Sequence, residues 1–243
     1  MRIIKVNAID STNSFVRKFY EGNNDFEPVC VRAISQTKGR GQRGSSWKTN
    51  AGENLTFSIL YPQKQLNISR HFLLSATISL AVIEALAQLQ IPDLKVKWPN
   101  DILSAKRKIG GILIENIVKT EGIVASIIGI GLNVNQLNFE GLPQAGSLRS
   151  LTGESFDLDE LMQRILSAVQ DEMKDLPEVS VTEILEDYVK NMFRLNVVSS
   201  FSLPDGEHFN GIIRGVTTEG KLNLEIEDGV FKTFDLKEVR LLY

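Results

Sequence analysis

Apolar and polar residues alternate along three early stretches, at 2–9, at 29–35 (VCVRAIS) and at 54–61, and each predicts a strand. In the third, Leu55, Phe57, Ile59 and Tyr61 share one face while Asn54, Thr56 and Ser58 share the other. A fourth strand runs from Leu94 to Trp98 and stops at Pro99, which has no N–H for a ladder. Strands at 109–117 and 123–134 follow, joined as a hairpin through 119–122. Helices are signalled by Ser11 or Thr12 as a cap before 15–20, by the apolar run 70–90, and by Leu158, Leu161, Met162, Ile165, Val169 and Met173 at helical spacing. A last helix is expected over 182–192. From Leu195 onward only short strands are expected, at 195–201, 209–216, 221–226, 230–235 and 238–242. They are punctuated by Pro204-Asp205-Gly206, Glu219-Gly220 and Asp228-Gly229.

This pattern predicts an α+β chain in two parts: a mixed sheet flanked by helices over 1–192 and a small antiparallel barrel over 193–243. Composition agrees, since 243 residues with 42% hydrophobic and 23% charged positions can bury a sizeable core. The lone Cys30 cannot form an internal disulfide and no secretory leader pattern follows Met1, so a cytoplasmic location is expected. The longest apolar candidate, 72–89, is interrupted by Ser75, Thr77, Ser79, Glu84 and Gln88, which predicts a buried helix and no membrane span.

A net charge of -3 argues against a general nucleic-acid binder, whose affinity comes from many basic groups. Local charge changes that picture. Between Val29 and Gly52 there is no carboxylate, yet Arg32, Lys38, Arg40, Arg43 and Lys48 all fall there, which points to a small anion. Within this stretch Gly39, Gly41 and Gly44 expose backbone amides that can wrap an anion. Arg40 and Arg43 add forked donors, and Trp47 offers a face on which a purine could stack. The same composition also suits a solvated connection. Neither a P-loop nor a GxGxxG dinucleotide turn is present.

Two further stretches carry chemistry. In Lys97-Trp98-Pro99-Asn100-Asp101 the proline ends the strand and is expected to throw Asn100 and Asp101 into a turn. Lys108, seven residues later in KRKIGG, opens the next strand, so a carboxylate and a lysine could hold opposite parts of one substrate. In Ile128-Gly129-Ile130-Gly131-Leu132-Asn133, glycines two apart weaken an apolar strand and require a packing or ligand reason. His71 and His208 have no partners at metal-ligand spacing, and there is no HExxH or GxSxG.

Taken in order, Ser11-Thr12-Asn13, Gln36 before GRGQRGSSW, KWPND at 97–101, KRKIGGILIE at 106–115 and GIGLNVN at 129–135 resemble the biotin protein ligases. The resemblance implies a fold of the class II aminoacyl-tRNA synthetase and biotin–lipoate ligase type, followed by an SH3-like barrel. It also implies the activity of a biotin–[acetyl-CoA-carboxylase] ligase. Biotin and ATP, with Mg2+, would give biotinyl-5'-AMP, and the biotin would pass to a lysine of a biotin carboxyl carrier protein domain. Carried over by residue, Ser11, Thr12, Asn13, Gln36 and Arg40 would line the biotin site. Gly39 and Gly41 would shape the loop, with Gly111, Gly129 and Leu132 in the pocket wall. Lys108 would sit by the biotin carboxylate and α-phosphate. Trp47 and Asn133 would serve adenine, Arg43 phosphate, and Asp101 the incoming lysine.

Repressor members of that family carry an amino-terminal winged helix, for which a first strand at Arg2 leaves no room, so DNA binding is not expected. Many members have arginine where this chain has Gln42, and that arginine helps hold the adenylate, so looser retention is implied. A homodimer through a sheet edge is compatible with the pattern but not specified by it. A lipoate or octanoate ligase of the same superfamily, or a non-catalytic biotin or nucleotide sensor, are the competing readings. Because the mixed anhydride would hydrolyse in water, the 36–48 loop is expected to order over it. Biotin plus ATP should therefore protect that loop in limited proteolysis, and equal cleavage with and without ligands would count against closure.

Overall fold

Alternating burial along the chain builds two sheets and five helices in the structure, a computed structural model that describes residues 1–21, 27–66, 71–120, 122–176 and 179–243. The expected helix start at residue 70 and Glu121 of the expected hairpin lie outside the described residues. The first sheet runs β1-β2-β3-β7-β6-β5-β4. Its strands are β1 (Arg2–Ile9), β2 (Val29–Gln36), β3 (Leu55–Leu66), β4 (Leu94–Lys97), β5 (Asp101–Ser104), β6 (Arg107–Lys119) and β7 (Gly122–Leu132). Only β1 and β2 are parallel, with α1 (Thr12–Glu21) as the crossover, and every other pair is antiparallel. The sheet is mixed, as expected.

The two faces of this sheet differ. On one, α1 packs Val16 against Val31, Leu60, Ala125 and Ile127 in a small cluster. The other carries the main core, in which Phe57, Ile128, Ile130 and Leu132 meet α2 (His71–Ala87), α4 (Leu158–Asp175) and α5 (Val181–Lys190). The apolar run is indeed the buried helix α2, with Leu74, Ile78, Ala81, Val82 and Ala85 fully covered. No helix among the described residues is long and apolar enough to cross a membrane. Cys30 is buried in this core and free, and burial pushes its thiol up to about 12, so it stays a protonated packing group.

Two expectations are corrected here. Asp101 is not a turn residue: the turn is 98–100, and Asp101 opens β5, paired with Lys97 of β4 and Gly111 of β6. The strand was hidden because it is four residues long and returns at once through Ala105 and Lys106, both at positive φ. A five-residue helix, α3 (Leu148–Thr152), was also missed, although Ser147 caps it with a reciprocal bond to Ser150.

The carboxy-terminal strands β8 (Val198–Ser202), β9 (His208–Val216), β10 (Leu222–Glu225), β11 (Phe231–Phe234) and β12 (Arg240–Leu242) form an antiparallel sheet in the order β11-β10-β9-β8-β12. It is not a closed barrel, because β11 and β12 make no ladder with each other among the described residues. The short 235–239 connection instead carries β12 to β8 on the far edge. Its apolar side joins the main core through Phe201, Ile213, Leu222, Leu224 and Val239.

The 98–100 turn is where the two sheets meet. Trp98 Nε1 donates to Gly220 O at 2.9 Å, Tyr188 Oη donates to Pro99 O at 2.9 Å, and Asn100 Nδ2 donates to Ile112 O. Tyr188 is fully buried with its ring edge on Phe72 at 5.3 Å, and burial, with Asp101 nearby, raises its phenol so that it remains a donor. Replacing Tyr188 by Phe strands the Pro99 carbonyl. Urea denaturation should show a loss of about 1–3 kcal/mol, and an unchanged midpoint would contradict this anchoring.

Candidate functional site

The parallel β1–β2 pair brings the start of α1 beside the end of β2. Thr12 donates its backbone N–H and Oγ1 to Gln36 Oε1 at 2.7 and 3.1 Å. Ser58 Oγ donates to Asn13 Oδ1 at 2.5 Å and lies 2.7 Å from Thr12 Oγ1. Asn13 Nδ2 donates to Glu115 Oε2 at 2.8 Å. Ser11, Thr12, Asn13 and Ser58 are all buried; Thr12, Asn13 and Ser58 satisfy one another and Gln36 and Glu115. Among the described residues the Ser11 hydroxyl has no such partner.

The glycine-rich loop is a folded ribbon. Gly41 N donates to Ser45 O at 2.8 Å and Trp47 N to Gly39 O at 2.9 Å, with a 3-10 turn over Gln42–Gly44 at the tip. A Cβ at Gly39 would sit 2.3 Å from Trp47 O, so glycine is required for the ribbon to close. The ribbon delivers Trp47 onto the sheet. There a Cβ at Gly131 would lie 2.5 Å from Trp47 Cε2, while one at Gly129 would lie 2.3 Å from Asn13 Oδ1. The paired glycines of β7 thus have a packing reason: bare backbone is the seat of an indole and an amide. The Trp47 indole N–H is buried without an acceptor among the described residues, a cost that ligand contact or ring movement would relieve.

Lys108 stands over the Trp47 ring, Nζ 5.7 Å from its centroid, and pairs with Asp101 Oδ1 at 2.6 Å. Asp101 Oδ2 faces Lys97 at 3.5 Å. Two cavities meet at these residues. One, of about 240 Å³, is lined by Ser11, Thr12, Asn13, Gln36, Arg40, Gly41, Gln42 and Gly129 among others. The other, of about 490 Å³, is lined by Lys48, Lys97, Asn133, Arg240, Tyr243, Phe139 and residues 141–145. Both are lined by Ser46, Trp47, Asp101 and Lys108. This is one polar chamber and one basic chamber with a shared lysine–carboxylate junction.

The sequence pattern of the Biotin/lipoate A/B protein ligase family matches residues 6–134. The chain belongs to this family. Among its ligase relatives, the bifunctional ligase/repressor BirA of Bacillus spizizenii is 30% identical over 239 residues, covering 96% of this chain and 72% of that protein. The biotin–[acetyl-CoA-carboxylase] ligase of Mycobacterium tuberculosis is 28% identical over 219 residues, covering 89% of this chain and 80% of that protein. A biotin protein ligase from Aquifex aeolicus, solved with biotin and ATP, superposes with a TM-score of 0.80 at 27% identity, covering 99% of this chain and 98% of that one.

Most of the residues expected from the ligase resemblance converge on the two cavities, with specific exceptions. Leu132 is fully buried in the main core, under Gly110, and lines neither cavity. Its alternation with Gly131 puts it on the opposite face of β7. Gly39 shapes the ribbon without lining the first cavity. Asn13 lines it, but its amide is spent on Ser58 and Glu115. Asn133 commits Nδ2 to Gly146 O at 3.0 Å, which leaves its oxygen as the group able to meet a ligand. Arg32 leaves the basic set, since it points to the helical face and pairs with Asp159 of α4. The Arg43 side chain lies outside the described residues.

Several site residues were not foreseen. Glu115 holds Arg40 Nη2 at 2.8 Å and Asn13, with Arg17 at 3.7 Å. Its signal was alternation with Gly111 and Leu113 along β6. Thr56 and Ser58 lay on the polar face already read in β3: Thr56 lines the first cavity, and Ser58 holds Asn13 at its wall. Segment 139–145 and Tyr243 carried no local signal.

If the bare strip of β7 seats Trp47, Gly131→Ala should displace the indole from the junction of the two cavities. Overpacking of this kind costs about 1–3 kcal/mol, so a lower melting temperature should accompany a shifted tryptophan emission spectrum. An unchanged spectrum would contradict the packing described.

Proposed function

We propose that this protein is a biotin protein ligase that condenses biotin with ATP to biotinyl-5'-AMP and then transfers biotin to a lysine of a carrier domain. The observation that carries this reading is the junction of a polar chamber and a basic chamber at Lys108 and Asp101. The names of the relatives support it.

Biotin has a polar ureido ring at one end and a carboxylate at the other. The buried hydroxyls of Ser11 and Thr12 and the half-buried amide of Gln36 suit the ring, and Lys108 stands at the chamber's open junction to meet the carboxylate. An acyl chain such as lipoate would leave the buried Ser11 hydroxyl without a partner, which disfavours the competing ligase reading. In the second chamber, Trp47 and Asn133 would hold adenine and Lys108 the α-phosphate. Charge grows on that phosphate as the carboxylate attacks, and a fixed ammonium aimed there lowers the barrier. The phosphorus–oxygen bond to pyrophosphate breaks in line, and no covalent enzyme intermediate is needed.

In the second step the carrier lysine must lose a proton to attack the anhydride. Once Lys108 turns to the adenylate, the freed Asp101 oxygen can attract the incoming ammonium and accept that proton. Magnesium would arrive with the nucleotide's phosphates. Among the described residues no three His, Cys, Asp or Glu side chains cluster to hold a metal, and Asp101 supplies the one side-chain carboxylate lining either chamber. The carrier is the biotin-bearing domain of a carboxylase. Residues 1–192 would form the catalytic unit, with 193–243 packed beside it.

Streptavidin-detected biotin transfer to a biotin carboxyl carrier domain tests the claim. Wild type should label the carrier, and Lys108→Ala should slow labelling by about 100-fold or more, as when a transition-state charge partner is removed. No labelling by wild type overturns the function, and equal labelling by the variant removes Lys108 from its role.

A further inference from the structure

The second chamber holds more positive charge than an adenosine monophosphate needs. Its lining includes Lys48, Lys97, Lys108 and Arg240, against the one side-chain carboxylate among the described lining residues, that of Asp101. Lys108, at the junction, belongs to both chambers, whereas Lys97 lines the second and not the first. Lys48 and Arg240 are exposed and make no ion pair among the described residues. Lys97 is different, with a side chain only 23% exposed and held from two sides. Its ammonium lies 3.5 Å from Asp101 Oδ2 and 5.6 Å from the centroid of the Tyr243 ring, itself braced edge-on by Phe193 at 5.1 Å. The two lysines therefore take opposite oxygens of one carboxylate.

We propose that Lys97 is the positioning cation for the leaving pyrophosphate, active in adenylation and not in transfer. The assignment rests on the biotin ligase reading and extends it to the β- and γ-phosphates. When the biotin carboxylate oxygen bonds to the α-phosphorus, the bridging oxygen departs on the opposite side with its electron pair, and negative charge builds on pyrophosphate. The attacking carboxylate comes from the first chamber, so the leaving group is directed away from it, into the second chamber, where Lys97 stands. A cation already fixed by Asp101 and an aromatic face needs no reorganisation as that charge appears. Pyrophosphate has left before the carrier lysine arrives, so the second step does not need this group.

Splitting the reaction separates this role from a structural one. Adenylation is read by pyrophosphate–ATP exchange in the presence of biotin, and transfer by single-turnover labelling of a carrier domain from supplied biotinyl-5'-AMP. Lys97→Met should slow exchange by about 10- to 100-fold, in the range seen for loss of one charge-stabilising donor. It should also raise the KM for pyrophosphate while leaving transfer from supplied adenylate within about twofold of wild type. Lys97→Arg, which keeps the charge, should recover most of the exchange and also serves if the methionine variant folds poorly. Equal loss in both half-reactions, or no loss in exchange, overturns the assignment. Wild type inactive in both half-reactions overturns the function beneath it, and this assignment with it.

Discussion

Three glycines on neighbouring strands, Gly111 of β6 and Gly129 and Gly131 of β7, leave a strip of sheet with no side chains; the first chamber is built on that strip, and Trp47, seated on it, forms wall to both chambers. Each glycine weakens its strand by roughly 0.5–1 kcal/mol relative to alanine. The reverse face offsets this loss. Alternation along β7 sends Ile128, Ile130 and Leu132 into the main core against α2 and α4, so one strand anchors the fold with one face and yields room with the other. Trp47 and Asn13 lie on the bare strip, and through them the ribbon and the start of α1 are seated against the sheet.

From that seat the electrostatics follow. Trp47 lies beneath the Lys108 ammonium, Lys108 pairs with Asp101, and Asp101 is carried at the head of β5 by a turn tied to Gly220, Tyr188 and Ile112. The carboxy-terminal sheet is thus joined to the chemistry mechanically, through Trp98, and along the wall of the basic chamber, through Arg240 and Tyr243. Asp101 also raises the Tyr243 phenol, after burial as the larger cause, which marks how near the carboxylate lies to the last residues of the chain. A carboxylate shared by two lysines has one partner to give up when a substrate anion arrives without being left bare.

What could be read from sequence was what local pattern encodes. The strands β1, β2, β3 and β4 announced themselves by alternation, β6 and β7 as a hairpin of apolar stretches, α2 by its apolar run and α4 by helical spacing, and the ribbon by its glycines. Short elements were lost: β5 has four residues, and its Asp101 passed as turn chemistry because Pro99 and Asn100 precede it. Closure of the carboxy-terminal strands is decided by which edges meet, a property of three-dimensional register that turn spacing does not contain. The site divided in the same way. Lys108, Arg40 and Trp47 stood out by type and setting, whereas Leu132 was assigned to the wrong face because the motif string ignores alternation. Glu115, Ser58 and Tyr243 act through contacts between segments distant in sequence, for which no single window holds a signal.

The central claim is that the two chambers are halves of one site meeting at Lys108. A crystal structure with a non-hydrolysable biotinyl-AMP analogue would test it most directly. The account predicts the ureido ring beside Ser11 and Thr12, adenine against Trp47, and Lys108 Nζ moved from Asp101 to the phosphate linkage. An analogue confined to one chamber, or a Lys108 still paired with Asp101 beside the bound phosphate, would contradict it.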